Sequence, residues 1–314
     1  MVMKKSNTIL IIGAGGVLGT AISEQLVFRG FDRVLTPTKL EMDCLNEQDV
    51  FGYLEREKPD YVFHLASLVY GIKGNMHNQA NSFRQNTLMS LYVLNACAQF
   101  GVKKVFYAGT VASYPYPYPE FPLKEESFWS GKPHYGEYGY ALAKRNTLGH
   151  LEILKNTIGM DFCYGIFTNL YGKNDKFNTE TGHVIPSLVA KAASAEKSAM
   201  KELAVWGNPT VTRDFLYADD AANAAILAMD HYSGEINIAS GIETSMGEVS
   251  EALLKAAEVP ISVRWVGDQP IGIPKRYSDI TRLTELGFKA KYDIDAGVKE
   301  TLSWYKANPE KIRR

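Results

Sequence analysis

Cysteine is scarce in this chain. Three residues, Cys44, Cys97 and Cys163, are scattered through 314 positions, and an odd count with no metal-like or redox spacing argues against a disulfide framework and against a metal site. A reducing cytoplasm is the expected location. An excess of either charge is missing too: 34 Lys and Arg stand against 35 Asp and Glu, a net charge of −1. No general field therefore draws the chain to nucleic acid or to a membrane, and an anionic ligand must be met by local groups. Long apolar runs are also lacking. The N-terminal stretch MVMKKSNTILIIG has two lysines and a short apolar run that Gly13, Gly15 and Gly16 interrupt well short of a membrane span. Neither a signal peptide nor an anchor is expected.

What is present is ordinary globular composition, 46% apolar and 22% charged, in a chain long enough to bury a sizeable core. From residue 7 to about 168, short apolar runs alternate with longer amphipathic ones, the pattern of repeated βαβ units. The expected strands are TILIIG (8–13), RVLT (33–36), YVFHLA (61–66), KVFYAG (104–109) and DFCYGIF (161–167), with helices near 17–29, 47–57, 79–100 and 138–158. Strands this continuously apolar suit a parallel sheet covered on both faces, so the expected fold is an α/β doubly wound sheet. After Tyr171 the chain turns to loops rich in Gly, Asn and Pro, short helices near 183–195 and 219–230, and isolated strands such as LAVW, EINIA and SVRW.

GAGGVLG (13–19) follows the first expected strand and opens a helix, which puts Gly13, Gly16 and Gly19 in a GxxGxxG spacing. Glycine there allows the tight turn, lets the backbone approach a pyrophosphate, and packs helix on strand while the helix N-terminus faces the anion. An ordinary Gly-rich turn shares the motif, but the strand before it and the alternation after it favour a dinucleotide. Val17 and Leu18 in the loop, and Leu65 and Ala66 at the end of the third expected strand, are counted with it as cofactor-binding candidates. The expected division is a Rossmann-type dinucleotide-binding domain over residues 1–170. Residues 171–314 mainly form a smaller α/β substrate lobe, with some segments returning to the main sheet. About 20 residues past the glycines, where an acidic residue would hold an adenosine ribose, the chain reads LTPTKLEMD. Thr36, Thr38 and Lys39 suit a 2′-phosphate instead, which favours NADP(H) without excluding NAD(H), although a lone loop lysine is often just solvated. Asp43 and Leu45 are better placed for the adenine edge.

Tyr140 and Lys144, in YALAK, are four apart on an expected helix and share a face. An ammonium beside a phenol favours the phenolate and can hold a ribose, so such a tyrosine can exchange a proton with a carbonyl or alcohol. A surface Tyr and Lys pair has the same spacing. Thr110, in AGTVASYP (108–115), ends a strand on the same sheet edge as the glycine loop and can hydrogen-bond the oxygen that Tyr140 protonates. The glycine spacing, Thr110 four before Tyr114, and Tyr140 with Lys144 together resemble the extended short-chain dehydrogenase/reductase family, across essentially the whole chain. That resemblance implies a nicotinamide cofactor, Thr110, Tyr140 and Lys144 as a catalytic set, with Tyr140 and Lys144 also touching the cofactor, and a nucleotide-sugar substrate.

TNLYGKND (168–175), GHVIPSLVAKA (182–192), VWGNPTVTRDFLYADD (205–220) and GIPKRYSDITRLTELGF (272–288) resemble the GDP-L-fucose synthase branch, whose members reduce a GDP-4-keto-6-deoxy sugar after epimerising it at C3 and C5. The resemblance implies that Asn169, Lys191, Trp206, Arg213 and Arg276 face the diphosphate and sugar; arginine can grip a diphosphate bidentately. A local ion pair is the lesser alternative for Arg213 beside Asp214, and Trp206 can equally fill the lobe's core. It also implies that His183 faces the sugar as proton donor of the epimerisation, a position where a lone histidine is otherwise often structural. The partner base in that branch is a cysteine two residues before the tyrosine of AGTVASYP, and here Ala112 stands there. Ser113 adjoins it, but a strand-like neighbour points to the opposite face, and serine is a poor base without help.

The expected protein is an NADPH-dependent C4 ketoreductase of a GDP-linked 4-keto sugar, 6-deoxy or heptose, that has lost the epimerase and serves surface-polysaccharide synthesis. A bifunctional enzyme with another base, such as His77 in the 69–78 loop, stays open, as does a cofactor-sensing regulator without turnover. A dehydratase commonly carries an acidic pair after the threonine, where Val111 and Ala112 stand. The repeat YPYPYP, from Tyr114 to Pro119, forces an extended path that is either a lid or a rigid loop. The helices near 79–100 and 138–158 resemble those through which family members form a homodimer.

Overall fold

Continuous burial, not alternation, organises the first half of the chain. The structure, a computed structural model, describes residues 2–70, 72–180, 182–198, 201–267 and 273–313; Gly71 of the 69–78 loop and Gly272 of the 272–288 stretch lie outside them. In chain order come β1 (Thr8–Ile12), α1 (Val17–Phe28), β2 (Arg33–Leu35), α2 (Glu47–Glu57), β3 (Tyr61–His64), α3 (Ile72–His77), α4 (Gln79–Gln99), β4 (Lys104–Thr110), α5 (Tyr138–Ile158) and β5 (Asp161–Phe167). Every position of β1 and β3 is buried. Such strands need cover on both faces, and Ile9 and Leu10 duly point into different cores. One core lies under α2, α4 and α5 around Val62, Tyr107 and Leu148. The other lies under α1 and packs Phe63 and Phe106 against Ile22.

The second half contains β6 (Asn169–Tyr171), α6 (Val184–Lys197), β7 (Glu202–Trp206), β8 (Thr212–Arg213), β9 (Phe215–Tyr217), α7 (Ala218–His231), β10 (Gly234–Ile238), β11 (Thr244–Ser245), α8 (Met246–Ala256), β12 (Ser262–Val266), α9 (Thr281–Glu285) and α10 (Ile294–Ala307). Its third core packs Val189, Leu203, Val249 and Leu302. Three short pairs support it, β7 with β12 and β6 with β9 in parallel, and β8 with β11 antiparallel. Helix α7 packs on the second core of the first half, and β10 pairs with β5. The main sheet is therefore six parallel strands in the order β2-β1-β3-β4-β5-β10. The order reverses between β1 and β3, and such a reversal opens the crevice at strand carboxyl ends where open α/β sheets bind ligands.

Helices α8 and α10 were not anticipated from the sequence. Helix α8 starts on a reciprocal Ser245 and Glu248 capping box, a signal that was present. Helix α10 contains Gly297, which reads as a break, yet a Cβ there would come within 2.1 Å of the Tyr171 hydroxyl, so glycine is a packing requirement. Among the described residues no helix is long and apolar enough to cross a membrane.

Candidate active site

The crevice is built first by glycine. Gly13 leaves β1 with φ of 90°, and a Cβ on it would lie 2.7 Å from the Ala66 backbone nitrogen, so only glycine lets the ends of β1 and β3 approach this closely. A Cβ on Gly19 would lie 2.4 Å from the Gly13 carbonyl oxygen, so the first turn of α1 packs on the loop for the same reason. Gly16 is the N-cap of α1 and offers no capping side chain, whereas α2 is capped by Asn46. The unfilled cap leaves the helix N-terminus to an incoming anion, and a dinucleotide pyrophosphate fits this cradle. Val17 and Leu18 form the start of α1, and across the reversal Leu65 donates its N–H to the Ile12 carbonyl and the Ala66 backbone lies against Gly13.

The loop after β2 differs from the expectation for a 2′-phosphate. Thr38 spends both its backbone N–H and its hydroxyl on Glu41, at 2.8 and 2.9 Å, and these bonds hold the Glu41 carboxyl below its usual range. Lys39 is largely exposed and 3.5 Å from Asp43, whose other oxygen accepts the Leu45 N–H. Lys39 and Asp43 thus form a pair, and Glu41 stands among the groups proposed to meet a phosphate.

Tyr140 and Lys144 occupy one face of α5, with the lysine Nζ 5.6 Å from the Tyr140 ring centre and 4.5 Å from that of Tyr107. Lys144 is buried and its Nζ donates to the Ala108 carbonyl at 2.8 Å. Burial alone would lower its pKa; the Tyr107 and Tyr140 phenols outweigh this and hold it above the ordinary lysine range. Thr110, at the carboxyl end of β4, accepts the Ala112 N–H on its Oγ1 at 3.2 Å, which leaves the hydroxyl proton to be donated elsewhere.

Residues Val111–Ser113 form a 3₁₀ turn, not the strand continuation the sequence suggested. All three are buried. Ser113 is turned inward, where its hydroxyl donates to the Ala141 carbonyl in α5 at 3.3 Å. Arg145 fixes the turn by donating to the carbonyls of Ser113, Phe128 and Gly131 at 2.8, 2.7 and 2.6 Å. Tyr114 is buried with its hydroxyl donating to Asn237 at 2.8 Å, Tyr116 is exposed, and Tyr118 turns toward Arg276.

On the lobe side, Arg276 is 6% exposed and donates to the Tyr118 hydroxyl and to the Glu137 carboxylate, each at 2.6 Å. Burial would raise the Glu137 carboxyl, but Arg276, with Arg213 adding to it, holds it below the usual range. Arg213 is not paired with Asp214. It donates to the Thr212 carbonyl at 2.7 Å, while Asp214 accepts from Ser240 N–H, Ser240 Oγ and Gly241 N–H at 2.9, 2.8 and 3.0 Å. Burial and then the charge of Arg276 push Arg213 down to about 10. Arg213 and Arg276 are thus close enough to repel each other, with the Glu137 carboxylate beside them. Backbone bonds from Thr212 to Pro274 and from Asp214 to Arg276 hold the two segments side by side.

Trp206 is 51% exposed, so it does not fill the lobe's core, and Lys191 lies over its ring with Nζ 4.7 Å from the centre. Asn169 donates to the Asp214 carbonyl at 3.1 Å. His183 is the N-cap of α6, exposed, with Nδ1 3.5 Å from the buried Asp175, whose hydrogen bond and charge raise the imidazole above its ordinary pKa.

The chain matches the profile of the NAD dependent epimerase/dehydratase family over residues 9–239. It belongs to that family. It is 33% identical over 307 residues to a probable GDP-L-fucose synthase 1 of Oryza sativa subsp. japonica, covering 97% of this chain and 93% of the relative. Among solved structures, a GDP-L-fucose synthetase from Naegleria fowleri bound to NADP is similar with a TM-score of 0.93 and 27% identity, covering 100% of this chain and 97% of that one. A GDP-6-OMe-4-keto-L-xylo-heptose reductase from C. jejuni is similar with a TM-score of 0.91 and 27% identity, covering 98% of this chain and 100% of that one.

In this epimerase/dehydratase family member, sequence reasoning missed Tyr107, Tyr118, Glu137 and Asp175. Asp175, inside YGKND, and Tyr118, inside YPYPYP, lay in stretches already singled out, and Tyr107 lay in an expected strand. Glu137 sits three residues before Tyr140 and 139 before its partner Arg276, so no local spacing marks it.

Proposed function

We propose that this chain is an NADPH-dependent C4 ketoreductase of a GDP-linked 4-keto sugar, 6-deoxy or heptose, without C3/C5 epimerase activity. The observation that carries the reading is the turn after β4. Thr110 keeps a hydroxyl proton to donate, Ala112 offers no base, and the Ser113 hydroxyl is committed to the Ala141 carbonyl. In this reading Thr110 and Tyr140 orient the substrate's C4 carbonyl by donating to its oxygen. When bound, the reduced nicotinamide supplies the hydride to C4. Tyr140 gives its phenolic proton to the oxygen as C4 becomes tetrahedral, and the Lys144 ammonium stabilises the phenolate left behind. Arg213 and Arg276 hold the diphosphate, Asn169, Lys191 and Trp206 line the path of the nucleotide and sugar, and His183 faces the sugar as a hydrogen-bond donor. NADP(H) as cofactor is supported by the glycine cradle here and by the NADP bound to the Naegleria fowleri relative.

Epimerisation requires abstraction of a proton beside the ketone; reduction does not, and the two activities separate on that difference. Incubation of the protein with a GDP-4-keto-6-deoxy sugar in D2O without NADPH is the test. No deuterium is expected at C3 or C5 by NMR over the time in which NADPH addition completes reduction, and rapid uptake at either carbon would sink the reading. The same proposal places the enzyme in the cytoplasm, in surface-polysaccharide precursor synthesis, and takes residues 1–170 as the cofactor domain and most of 171–314 as the sugar lobe. It also takes two copies to pair through α4 and α5, whose exposed Phe83, Leu91 and Ile153 support an apolar interface.

A further inference from the structure

The glycine loop GAGGVLG carries no charged side chain, and Lys39 is already paired with Asp43. A dinucleotide brings a doubly charged pyrophosphate to such a loop; the α1 N-terminus meets it with backbone N–H groups, and a full positive charge has to come from another segment. The structure brings one from the far end of the chain. Arg313 donates through Nη1 to the carbonyl of Gly15, the residue before the α1 N-cap, at 2.6 Å, and to the carbonyl of Asn174 at 3.3 Å. Both bonds use Nη1, and Nε and Nη2 remain as donors.

The tail is held in this place independently of that side chain. The Arg313 carbonyl accepts the Phe177 N–H at 2.8 Å, Lys176 and Arg313 form a parallel bridge, and Ile312 packs on the lobe's core. Gly15 itself has open space where a Cβ would be. We propose that Arg313 is a cofactor-binding residue: its guanidinium, docked on the Gly15 carbonyl, donates to the pyrophosphate of the nicotinamide dinucleotide and supplies the positive charge that the glycine loop itself lacks.

The inference rests on the dinucleotide reading above. Guanidinium is suited to it, because its fixed fork can bond a backbone carbonyl and a phosphate oxygen together, which a lysine ammonium does as a point charge only. The contact also joins the cofactor loop to the 174–177 segment that holds Asp175 beside His183, so the sugar side and the cofactor side share one anchor.

The test is the affinity of the full chain for NADPH and for NADH, without sugar, by intrinsic fluorescence quenching, for the wild type, Arg313→Gln and Arg313→Lys. Arg313→Gln is expected to weaken both cofactors by about the same factor, roughly tenfold, because the pyrophosphate is common to them. Arg313→Lys is expected to recover part of the loss, and the salt dependence of NADPH binding is expected to be shallower in Arg313→Gln than in the wild type. Unchanged affinities for both cofactors overturn the proposal, whether or not the melting temperature moves, since a tail that only braces the fold would change stability alone. A loss confined to NADPH also overturns it, by moving the contact to the 2′-phosphate. Failure of the wild type to bind either cofactor counts against the dinucleotide reading itself, a different result from a wild type that binds and a variant that binds as well.

Discussion

Replacing Glu137 by glutamine removes the carboxylate that balances the buried Arg276, and the free and the GDP-bound protein should respond with opposite signs. In the free protein Arg276 is 6% exposed and divides its donors between Glu137 and Tyr118. Stranding one member of a buried pair costs about 3–5 kcal/mol. Glutamine keeps an acceptor in place and Tyr118 is untouched, so the expected loss is nearer the worth of one charged hydrogen bond, about 2 kcal/mol. For a chain of this size that lowers Tm by a few degrees. With a diphosphate bound, the same change removes a negative charge from beside a dianion. At about 6 Å and an effective dielectric of about 20 the repulsion by the two charges amounts to roughly 5–6 kcal/mol. Solvent in an open site halves it, leaving about hundredfold tighter GDP binding.

Thermal unfolding with and without GDP, together with calorimetric titration of GDP, reads both effects. Glu137→Gln should melt below the wild type alone and gain more from GDP than the wild type gains. If the variant unfolds cooperatively but binds GDP no better or worse than the wild type, Arg276 serves only the fold and the diphosphate site must lie elsewhere.

Two further outcomes follow from the site and its surroundings. Tyr140→Phe should lower kcat by about 10²–10⁴ while the variant still binds NADPH; undiminished turnover would remove Tyr140 from the mechanism, and no turnover in the wild type with any GDP-, dTDP- or UDP-4-keto sugar would favour a cofactor-sensing regulator. Burial raises Asp214 to about 6 from an unfolded value of about 3.9, so the folded state favours its protonated form. Its contribution to stability is full below about pH 4 and is lost as pH rises through about 6. Tm measured from pH 5 to 7 should therefore fall less steeply in Asp214→Asn than in the wild type, and an identical slope would show that Asp214 does not titrate there.

The sheet was legible because parallel strands buried on both faces announce themselves as apolar runs, and Gly13 was legible because only one residue type tolerates its φ and its distance from Ala66. Thr110, Tyr140 and Lys144 could be picked out because each sits at a local landmark, a strand end or one helical turn. Other features were not accessible in that way. Helix α10 was not anticipated: Gly297 carries a propensity cost within it, while the hydroxyl of Tyr171 that forbids a larger residue is 126 positions away. The Arg276 pair with Glu137 and the approach of Arg313 to Gly15 join residues 139 and 298 apart, and electrostatic partners at that separation are made by the tertiary fold. The alternative of an Arg213 pair with Asp214 is not realised for the converse reason: adjacency in sequence suggests a pair, whereas burial directs Asp214 to the backbone of residues 240 and 241.

Separation of reduction from epimerisation depends finally on how rigid the 111–113 turn is. A neighbour can replace a missing base only if the backbone can rotate it into place. Bringing the Ser113 hydroxyl to the Ala112 position would break its bond to Ala141 and the bond from Arg145 Nε to the Ser113 carbonyl. Arg145 also holds Phe128 and Gly131, so such a movement would draw the 128–131 segment with it. Each bond to be broken is worth about 1 kcal/mol or more when buried, and an unassisted serine would still be a weak base at the end. Thr110, Tyr140 and Lys144 draw none of their positioning from the Ala112 side chain: the first is set by β4, the other two by α5 and the Ala108 carbonyl. Under the proposed reading, an alanine at this position therefore removes proton abstraction from carbon without disturbing proton delivery to oxygen.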